Sequence, residues 1–411
     1  MLDAIDLSII ALVLVLLLIA IRQLGEFKLQ IWQIMLFGAL AVLLSGEISP
    51  QDAASAINSD VMIFLAGMFI IGEAMRESGY LFHLFSRIFC RAKSLDQLLI
   101  LILFAMGLLS ALLMNDTLAI IGTPLMLYLA RALRISPKLL LLTLAFAITT
   151  GSAMSPIGNP QNLLIAINAS LANPFQVFFQ YLFLPTVANL VIAYLLLRLF
   201  YRSQFQQTAI TIPPEKITDP ALANISRISI ILLLLLILVK VLAVSIQSSQ
   251  QLPLTYIAVF SALPVILFSR RRWEIVRNID WCTLVFFAAM FVLMESVWSS
   301  GVFQGIMRES SAGFGSILAI LALSVFLSQI ISNVPFVALF QPLLHNPSAQ
   351  DLMALAAGST IAGNLFILGA ASNVIIIQNA EKSGESLTFL DFARVGVPLT
   401  ALNVFIYWIF L

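Results

Sequence analysis

Two short polar clusters lie in the middle of long apolar stretches of this sequence. The first is Asn115-Asp116-Thr117, and the second is Ser332-Asn333-Val334-Pro335. A carboxylate in apolar surroundings is costly unless it is paired, protonated or bound to a cation. Asp116, with amide and hydroxyl oxygens beside it, therefore has the ligand set of a Na⁺ or H⁺ site. The alternative is structural: Asp116 caps the helix that follows it.

Two other apolar stretches are broken by Pro, Gly, Ser and Asn. The breaks read Ser155-Pro156-Ile157-Gly158-Asn159-Pro160 and Gly369-Ala370-Ala371-Ser372. Proline removes a backbone donor and glycine lets the chain turn, so a helix that stops here leaves free carbonyls on one side and free N–H groups on the other. Free carbonyls suit a cation, and the helix-start N–H groups near Asn162 suit an anion. The alternative is that these residues only kink packed helices.

The clusters and the breaks together define the candidate binding residues, and we expect these residues to meet in one cavity. A Na⁺ site is expected near Asn115, Asp116 and Asn159. No cofactor is expected. The full set is Asn115, Asp116, Thr117, Ser155, Gly158, Asn159, Asn162, Ser332, Asn333, Gly369, Ser372 and Asn373.

Histidine and cysteine are too scarce in this sequence for metal or nucleophilic chemistry. The chain has two histidines, His83 and His345, and two cysteines, Cys90 and Cys282. Neither pair has the spacing of a metal site or of a disulfide framework. An enzyme embedded in a membrane would need a second buried acid or a Ser–His pair in register with Asp116, so it is only a remote alternative.

The composition requires an apolar solvent around most of the chain. Of the 411 residues, 61% are apolar and 10% are charged, whereas soluble domains carry about 25% charged residues. The net charge of +1 gives no reason to expect a nucleic-acid partner. A lipid bilayer accommodates such a chain because its core is itself apolar. We therefore expect an all-α polytopic membrane protein.

Segments of spanning length set the expected number of membrane crossings. Eight uninterrupted apolar segments and the two broken stretches predict about ten full crossings. The stretches around the polar clusters, about 97–132 and 315–345, are too long for one span, and we interpret them as re-entrant helical hairpins with polar tips. The eight segments lie at about 5–21, 29–45, 60–76, 177–199, 228–246, 253–269, 282–298 and 395–411.

Three blocks of the first half recur in the same order in the second half. Matches of Asn, Glu, Pro and Gly within apolar segments are rarer than matches of Leu or Ile, so they carry the evidence for a repeat. The matched pairs include Glu73 and Glu295, 222 residues apart, Asn115 and Asn333, 218 apart, and Asn162 and Asn373, 211 apart. The spacing stays constant within each block, which favours an internal duplication.

The distribution of basic residues predicts the orientation of the two repeats. Five crossings per half is an odd number, so the second repeat is inverted relative to the first. With Arg22 and Lys28 in the cytoplasm, 19 of the 21 Lys and Arg residues fall on that side, as expected in the inner membrane. Both termini then lie outside the cytoplasm. The expected units are a first repeat at 1–202, a cytoplasmic linker at 203–226 and a second, inverted repeat at 227–411.

The polar segments resemble those of the ion transporter superfamily. Leu112–Pro124 resembles the Asn-Asp hairpin of its arsenite-permease branch, and Ile331–Pro335 resembles the counterpart in the second half. Ser155–Asn162 resembles a branch of bacterial and archaeal anion permeases. The superfamily also includes sodium–proton antiporters, citrate and dicarboxylate symporters and silicic-acid effluxers. The tips differ from the Ser-Asn-Thr tips of the dicarboxylate symporters, which argues against a dicarboxylate substrate.

This resemblance implies a secondary active transporter. The hairpins and broken helices would form a mobile transport part that moves against an outer scaffold in alternating access, and a homodimer is one assembly that the resemblance implies. We expect a small anionic solute as the substrate and Na⁺ or H⁺ as the coupling ion. The alternatives are a sodium–proton antiporter and an arsenite- or silicic-acid-type efflux permease.

Overall fold

Helices form nearly all of the regular structure in the part of the chain that the computed structural model describes. That part comprises residues 7–21, 23–24, 27–28, 30–169, 171, 173–206, 217–245, 252–301, 316–344 and 346–411. The helices of the first half are α1 (Leu7–Ile21), α2 (Ile31–Leu44), α3 (Pro50–Ala56), α4 (Ser59–Glu77), α5 (Tyr80–Phe89), α6 (Leu95–Leu113), α7 (Asn115–Leu133), α8 (Pro137–Ser152), α9 (Pro160–Asn168) and α10 (Pro174–Phe200). The helices described in the second half are α11 (Pro220–Ser245), α12 (Leu254–Phe268), α13 (Arg272–Asn278), α14 (Trp281–Ser299), α15 (Ile317–Ile331), α16 (Asn333–Phe340), α17 (Ala349–Leu365), α18 (Ala371–Lys382) and α19 (Phe389–Phe410). Two short strands, Gln23–Leu24 and Phe27–Lys28, pair antiparallel.

Several of these helices are long and apolar enough to cross a membrane. Among the described residues they are α6, α7, α10, α11, α14 and α19, and α3 with α4 forms a further candidate bent by 54°. Helices α2, α8, α12 and α15 are apolar but shorter. Leu235 and Leu238 on α11 are about half exposed, as suits a surface that faces lipid. The expected polytopic helical membrane protein is confirmed, while the ten crossings and the re-entrant hairpins stay predictions.

Both broken stretches are discontinuous helices in the structure. The first break covers residues 153–159, close to the predicted Ser155–Pro160. Pro160 is the first residue of α9, where its missing N–H is not needed. The second break covers residues 366–370, earlier than the predicted Gly369–Ser372, and Ser372 belongs to α18. This second break contains no proline, so no residue forces the helix to stop at one fixed position.

The connection between the two halves is shorter than predicted. Helix α11 already begins at Pro220, within the range 203–226 predicted as a linker. Residues 207–216 of that range lie outside the described residues, as do the first six residues and residues 302–315.

Matched residues of the two halves cap two of the helices. Asn58 precedes α4, and its Oδ1 accepts a hydrogen bond from the Val61 N–H at 3.1 Å. Asp280, 222 residues later, precedes α14, and its Oδ1 accepts from the Thr283 N–H at 3.0 Å. Asn and Asp are equally good N-caps. The cap alone therefore does not explain why one half carries a charge at this position and the other does not.

The helices of the two halves pack crosswise. Helix α2 packs on α14, and its counterpart α12 packs on α4. Helix α7 packs on α18, and its counterpart α16 packs on α9. Within each half, α6 packs on α8 and α15 packs on α17. The tip helix of each half therefore rests on the second part of the broken helix of the other half.

Candidate functional site

The two tips have the same backbone geometry. Helices α6 and α7 meet at Met114, with φ of 67°, and α15 and α16 meet at Ser332, with φ of 73°. A residue other than glycine in this region is uncommon, and the conformation costs about 1–3 kcal/mol. Such a conformation persists only where the surrounding structure enforces it, and it occurs preferentially at functional sites. Its occurrence at matched positions indicates that the sharp turn belongs to the duplicated design.

Each tip directs an amide oxygen into the protein. Asn115 and Asn333 are the first residues of α7 and α16, and each is 6% exposed. The Oδ1 atom of each is buried and has no hydrogen-bond partner among the described residues. A buried polar group without a partner is costly. The two oxygens are therefore available to a ligand.

The first tip is bonded to the first break. The backbone N–H of Asn115 donates to the carbonyl oxygen of Gly158 at 3.0 Å. A Cβ atom added at Gly158 would overlap the carbonyl oxygen of Ser152, and one added at Gly369 would lie 2.6 Å from that of Ala362. Both breaks therefore require glycine for close approach of the backbone.

Two asparagines stabilise the first break. The Nδ2 atom of Asn162 donates to the carbonyl oxygens of Ser152, Ala153 and Ser155 at 3.2, 3.3 and 3.1 Å. Asn159 accepts from the N–H of Asn162 at 2.9 Å through Oδ1. Carbonyls that the sequence suggested would be free thus have partners within the protein. Asn162 therefore has a structural role in addition to the binding role predicted for it.

The break is also tied to the other half of the chain. Asn159 donates through Nδ2 to the hydroxyl of Thr360 on α17 at 3.1 Å. The same hydroxyl donates to the Oδ1 atom of Asn162 at 3.3 Å. These bonds connect α17 directly to the break between α8 and α9.

The second break keeps part of this arrangement and leaves more oxygens unpaired. The Nδ2 atom of Asn373 donates to the carbonyl oxygen of Gly363 at 2.6 Å. Gly363 matches Ser152 at the same spacing of 211 residues by which Asn373 matches Asn162. The hydroxyl of Ser372 and the Oδ1 atom of Asn373 are buried without a partner among the described residues. The second break therefore offers two oxygens that no described side chain engages.

A crevice lies between helix α7 and the scaffold helix α4. It has a volume of about 340 Å³, and we call it the Asp116 crevice. Its lining includes Glu73, Arg76, Asp116, Thr117, Asp280 and Ile375. Of the predicted site residues, Asp116 and Thr117 belong to this lining and the other ten do not. The convergence of all twelve in one cavity stays a prediction.

A second crevice occupies the matched place in the other half. It has a volume of about 300 Å³, and we call it the Glu295 crevice. Its lining includes Asn58, Leu164, Phe291, Glu295, Trp298 and Leu339. These residues match, at the spacings of the repeat, Asp280, Ile375, Phe69, Glu73, Arg76 and Ile121 of the Asp116 crevice.

The charged residues of the Asp116 crevice are unequally paired. Glu73 binds Arg76 through both carboxylate oxygens, at 2.8 and 2.6 Å. Arg76 also pairs with Glu77, which pairs in turn with Arg271. The carboxylate of Asp116 is 6% exposed, and no hydrogen bond or ion pair of it is found among the described residues. Asp116 is thus the unneutralised acid of this crevice at the tip.

The same ion network reaches the connection before α13. Arg271 bonds Glu274 through two guanidinium nitrogens, each at 2.7 Å. The Arg271 guanidinium holds the pKa of the exposed Glu274 carboxyl below its usual range through this hydrogen bond. Exposed pairs contribute little stability singly. Their structural role here is to join the end of α4 to the helix that precedes Asp280.

A buried polar cluster that the sequence analysis did not identify lies between α10 and α19. Thr186 and Asn189 on α10 match Thr400 and Asn403 on α19, each pair 214 residues apart. The hydroxyls of Thr186 and Tyr407 are hydrogen-bonded at 2.7 Å. The signal was present as polar residues three apart within apolar helices, repeated in both halves.

The polar cluster continues to the helices that end at the breaks. The Nδ2 atom of Asn364, next to the end of α17, donates to the hydroxyl of Thr150 at 2.9 Å and to the Oδ1 atom of Asn403 at 3.0 Å. Thr150 lies in the last turn of α8. The cluster therefore positions both breaks relative to α19.

Comparisons with known proteins agree on the class of protein. A family model described as "Citrate transporter" matches residues 14–352. A Mycobacterium tuberculosis protein named "uncharacterized transporter" is 28% identical over 403 aligned residues, which cover 92% of each chain. The "46 kDa membrane protein" of Mycobacterium leprae is 25% identical with the same coverage. The "P protein" of Mus musculus is 24% identical over 481 aligned residues, covering 92% of this chain and 58% of that protein.

Proposed function

This chain belongs to the citrate transporter family, a family of membrane transporters, and we propose that it is a secondary active transporter. It moves a small anionic solute across the plasma membrane by alternating access, coupled to Na⁺ or H⁺. The observation that carries this proposal is Asp116, a buried acid without an ion-pair partner among the described residues, at a tip that lines a crevice. A buried acid in a membrane protein is costly, and binding a cation or proton removes that cost.

The crosswise packing of matched helices supports an inverted repeat. A two-fold axis in the membrane plane exchanges the matched helices of the two halves, and transporter sites lie where such halves meet. The hairpins and the broken helices α8–α9 and α17–α18 then form the transport part. The paired helices α2, α4, α12 and α14 form the scaffold. A homodimer through the scaffold is part of the same proposal.

Cysteine labelling of intact cells tests the orientation. Cys90 and Cys282 are exposed, so both are first replaced by serine. We expect an impermeant maleimide to label Ser249→Cys and to leave Trp273→Cys, before the cytoplasmic end of α14, unlabelled. Labelling of Trp273→Cys without labelling of Ser249→Cys would contradict the inverted repeat and the external termini.

The donors and acceptors at the tips and breaks indicate the kind of substrate. Backbone N–H groups at the starts of α9 and α18 favour an anion. Asn115, Asp116 and Asn159 supply oxygen ligands for Na⁺. No Lys or Arg occurs in the described tip and break segments, 114–117, 153–159, 332–335 and 366–373. A multiply charged anion would therefore need co-bound cations, so a monovalent, protonated or cation-complexed substrate is favoured.

Transport by purified protein in liposomes tests the proposal. Citrate, a monocarboxylate and arsenite are offered separately, each with a Na⁺ gradient at equal pH and with a pH gradient in choline buffer. We expect saturable, trans-stimulated uptake of one anion under one of the two gradients. Uptake that neither saturates nor responds to substrate on the opposite side would indicate a channel and overturn the proposal.

A sodium–proton antiporter is the second candidate. The absence of basic residues from the described tips and breaks favours it, because such a protein needs no anion site. In the same liposomes, this candidate predicts that a Na⁺ gradient moves protons with no solute present. Movement of protons only when an anion is added would exclude it.

A further inference from the structure

Asp280 stands opposite Asp116 across the Asp116 crevice. It precedes α14 of the scaffold, whereas Asp116 lies in the first turn of α7. Both residues line the crevice, and they are close enough for their charges to repel each other. Like charges at such separations interact strongly where water is scarce. Any movement that narrows this crevice therefore brings two carboxylates together.

The crevice has no free cationic side chain among its described residues. Arg76 is its basic residue, and Glu73 and Glu77 already engage its guanidinium group. Helix α18 contributes Ile375, and neither α6 nor α8 contributes a charged residue to the lining. The charge of Asp116 and Asp280 is therefore not compensated within this crevice.

The Glu295 crevice lacks both carboxylates. Asn58 stands in the place of Asp280, and Val334 stands in the place of Asp116. Asn58 caps α4 in the way that Asp280 caps α14. The capping function is thus present in both halves, while the two charges occur together in one half and are absent together from the other.

We propose that Asp116 and Asp280 form a cation-sharing site across the Asp116 crevice. A Na⁺ ion or a proton held between the two carboxylates permits the transport part to close against the scaffold. Without it, repulsion between the carboxylates opposes closure. This inference rests on the proposed coupled transport and adds a second residue, on the scaffold, that sets the affinity for the coupling cation.

The variant Asp280→Asn tests this site, because asparagine keeps the cap and removes the charge. Liposome uptake is measured against Na⁺ concentration at fixed pH, and against pH in choline buffer, so that the two cations are distinguished. We expect the half-saturating concentration of the coupling cation to rise about tenfold, which for H⁺ is a fall of about one pH unit in the midpoint. Substrate exchange under saturating cation should remain.

Three further variants complete the experiment. Asp280→Glu should retain wild-type cation dependence, and Asp280→Ser, which also caps a helix without a charge, should reproduce the shift. Asn58→Asp places a carboxylate in the matched position facing Val334 and should leave the dependence unchanged. An equal shift in Asn58→Asp would mean a general effect of charge and would overturn the site.

The variant Asp116→Asn separates this inference from the proposed function. Loss of cation dependence in Asp116→Asn with wild-type dependence in Asp280→Asn would overturn the shared site and leave coupling through Asp116 intact. Unchanged dependence in both variants would overturn both proposals.

Discussion

The Asp116 crevice and the Glu295 crevice are built from matched positions but differ in charge. Phe69 matches Phe291, and Ile121 matches Leu339, so the apolar lining is retained. Four ionisable residues line the first crevice, Glu73, Arg76, Asp116 and Asp280, whereas Glu295 is the ionisable residue of the second. Duplication thus preserved shape in both halves while charge was placed in one. We infer that the two crevices have different tasks, and that cation handling belongs to the Asp116 crevice.

The largest effect is expected from removing the acid of each crevice in turn. Asp116→Asn keeps size and most hydrogen bonding, so the protein should fold, but gradient-driven uptake should fall to background because the cation loses its charged ligand. Glu295→Gln should keep uptake close to that of the wild type. Both are measured in liposomes with matched protein content. Full uptake by Asp116→Asn with unchanged pH and Na⁺ dependence would assign Asp116 the role of a helix cap.

The next largest effect concerns the glycines of the two breaks. A Cβ atom at Gly158 or Gly369 approaches a backbone carbonyl oxygen that no side-chain rotation can move away. We expect Gly158→Ala to destabilise the protein by about 3 kcal/mol and Gly369→Ala by somewhat less. Thermal unfolding in detergent checks the order, with the exposed Gly384 replaced by alanine to measure the cost of a positive φ alone. Equal melting temperatures for all three variants would contradict the close approach.

A smaller difference is expected between Asn162 and Asn373. Asn162→Leu leaves the carbonyl oxygens of Ser152, Ala153 and Ser155 without their side-chain partner, whereas Asn373→Leu affects the oxygen of Gly363. We expect losses of about 2–3 and about 1 kcal/mol respectively in the free energy of unfolding, measured by denaturant titration in micelles. The KM for substrate should rise more in Asn373→Leu, because its Oδ1 atom has no described partner. The reverse order in both measurements would count against the assignment.

The smallest effect separates the two tips. Ser332 has a φ of 73° and is partly exposed, so Ser332→Gly should stabilise the protein by about 1 kcal/mol through relief of strain. Met114 shares the backbone geometry but is fully buried, so Met114→Gly should destabilise it because lost burial outweighs the relief. The two melting temperatures, each compared with that of the wild type, give the result. A lower melting temperature for Ser332→Gly would contradict strain at this tip.

Features with local punctuation were predictable from the sequence. The tips were placed to the residue, because Asn115 and Asn333 interrupt apolar helices, and the first break was close because two prolines bound it. The second break was placed too late because it lacks proline. Asp280 was assigned only to a cytoplasmic loop, since its approach to Asp116 depends on how distant helices pack. The pair Asn58 and Asp280, at the spacing of 222 residues, was the available signal.

The crosswise packing of α7 on α18 and of α16 on α9 has a consequence for biosynthesis. When the ribosome has delivered the first half, α7 and α9 are already in the membrane, but the surfaces they rest on have not been translated. These helices carry polar groups, Asp116 among them, that would meanwhile face lipid or the insertion machinery. A holding factor that shields them until α18 arrives, or slow insertion of the first half, is therefore a requirement of this architecture. The last helices to be made decide whether the earlier ones are kept or degraded.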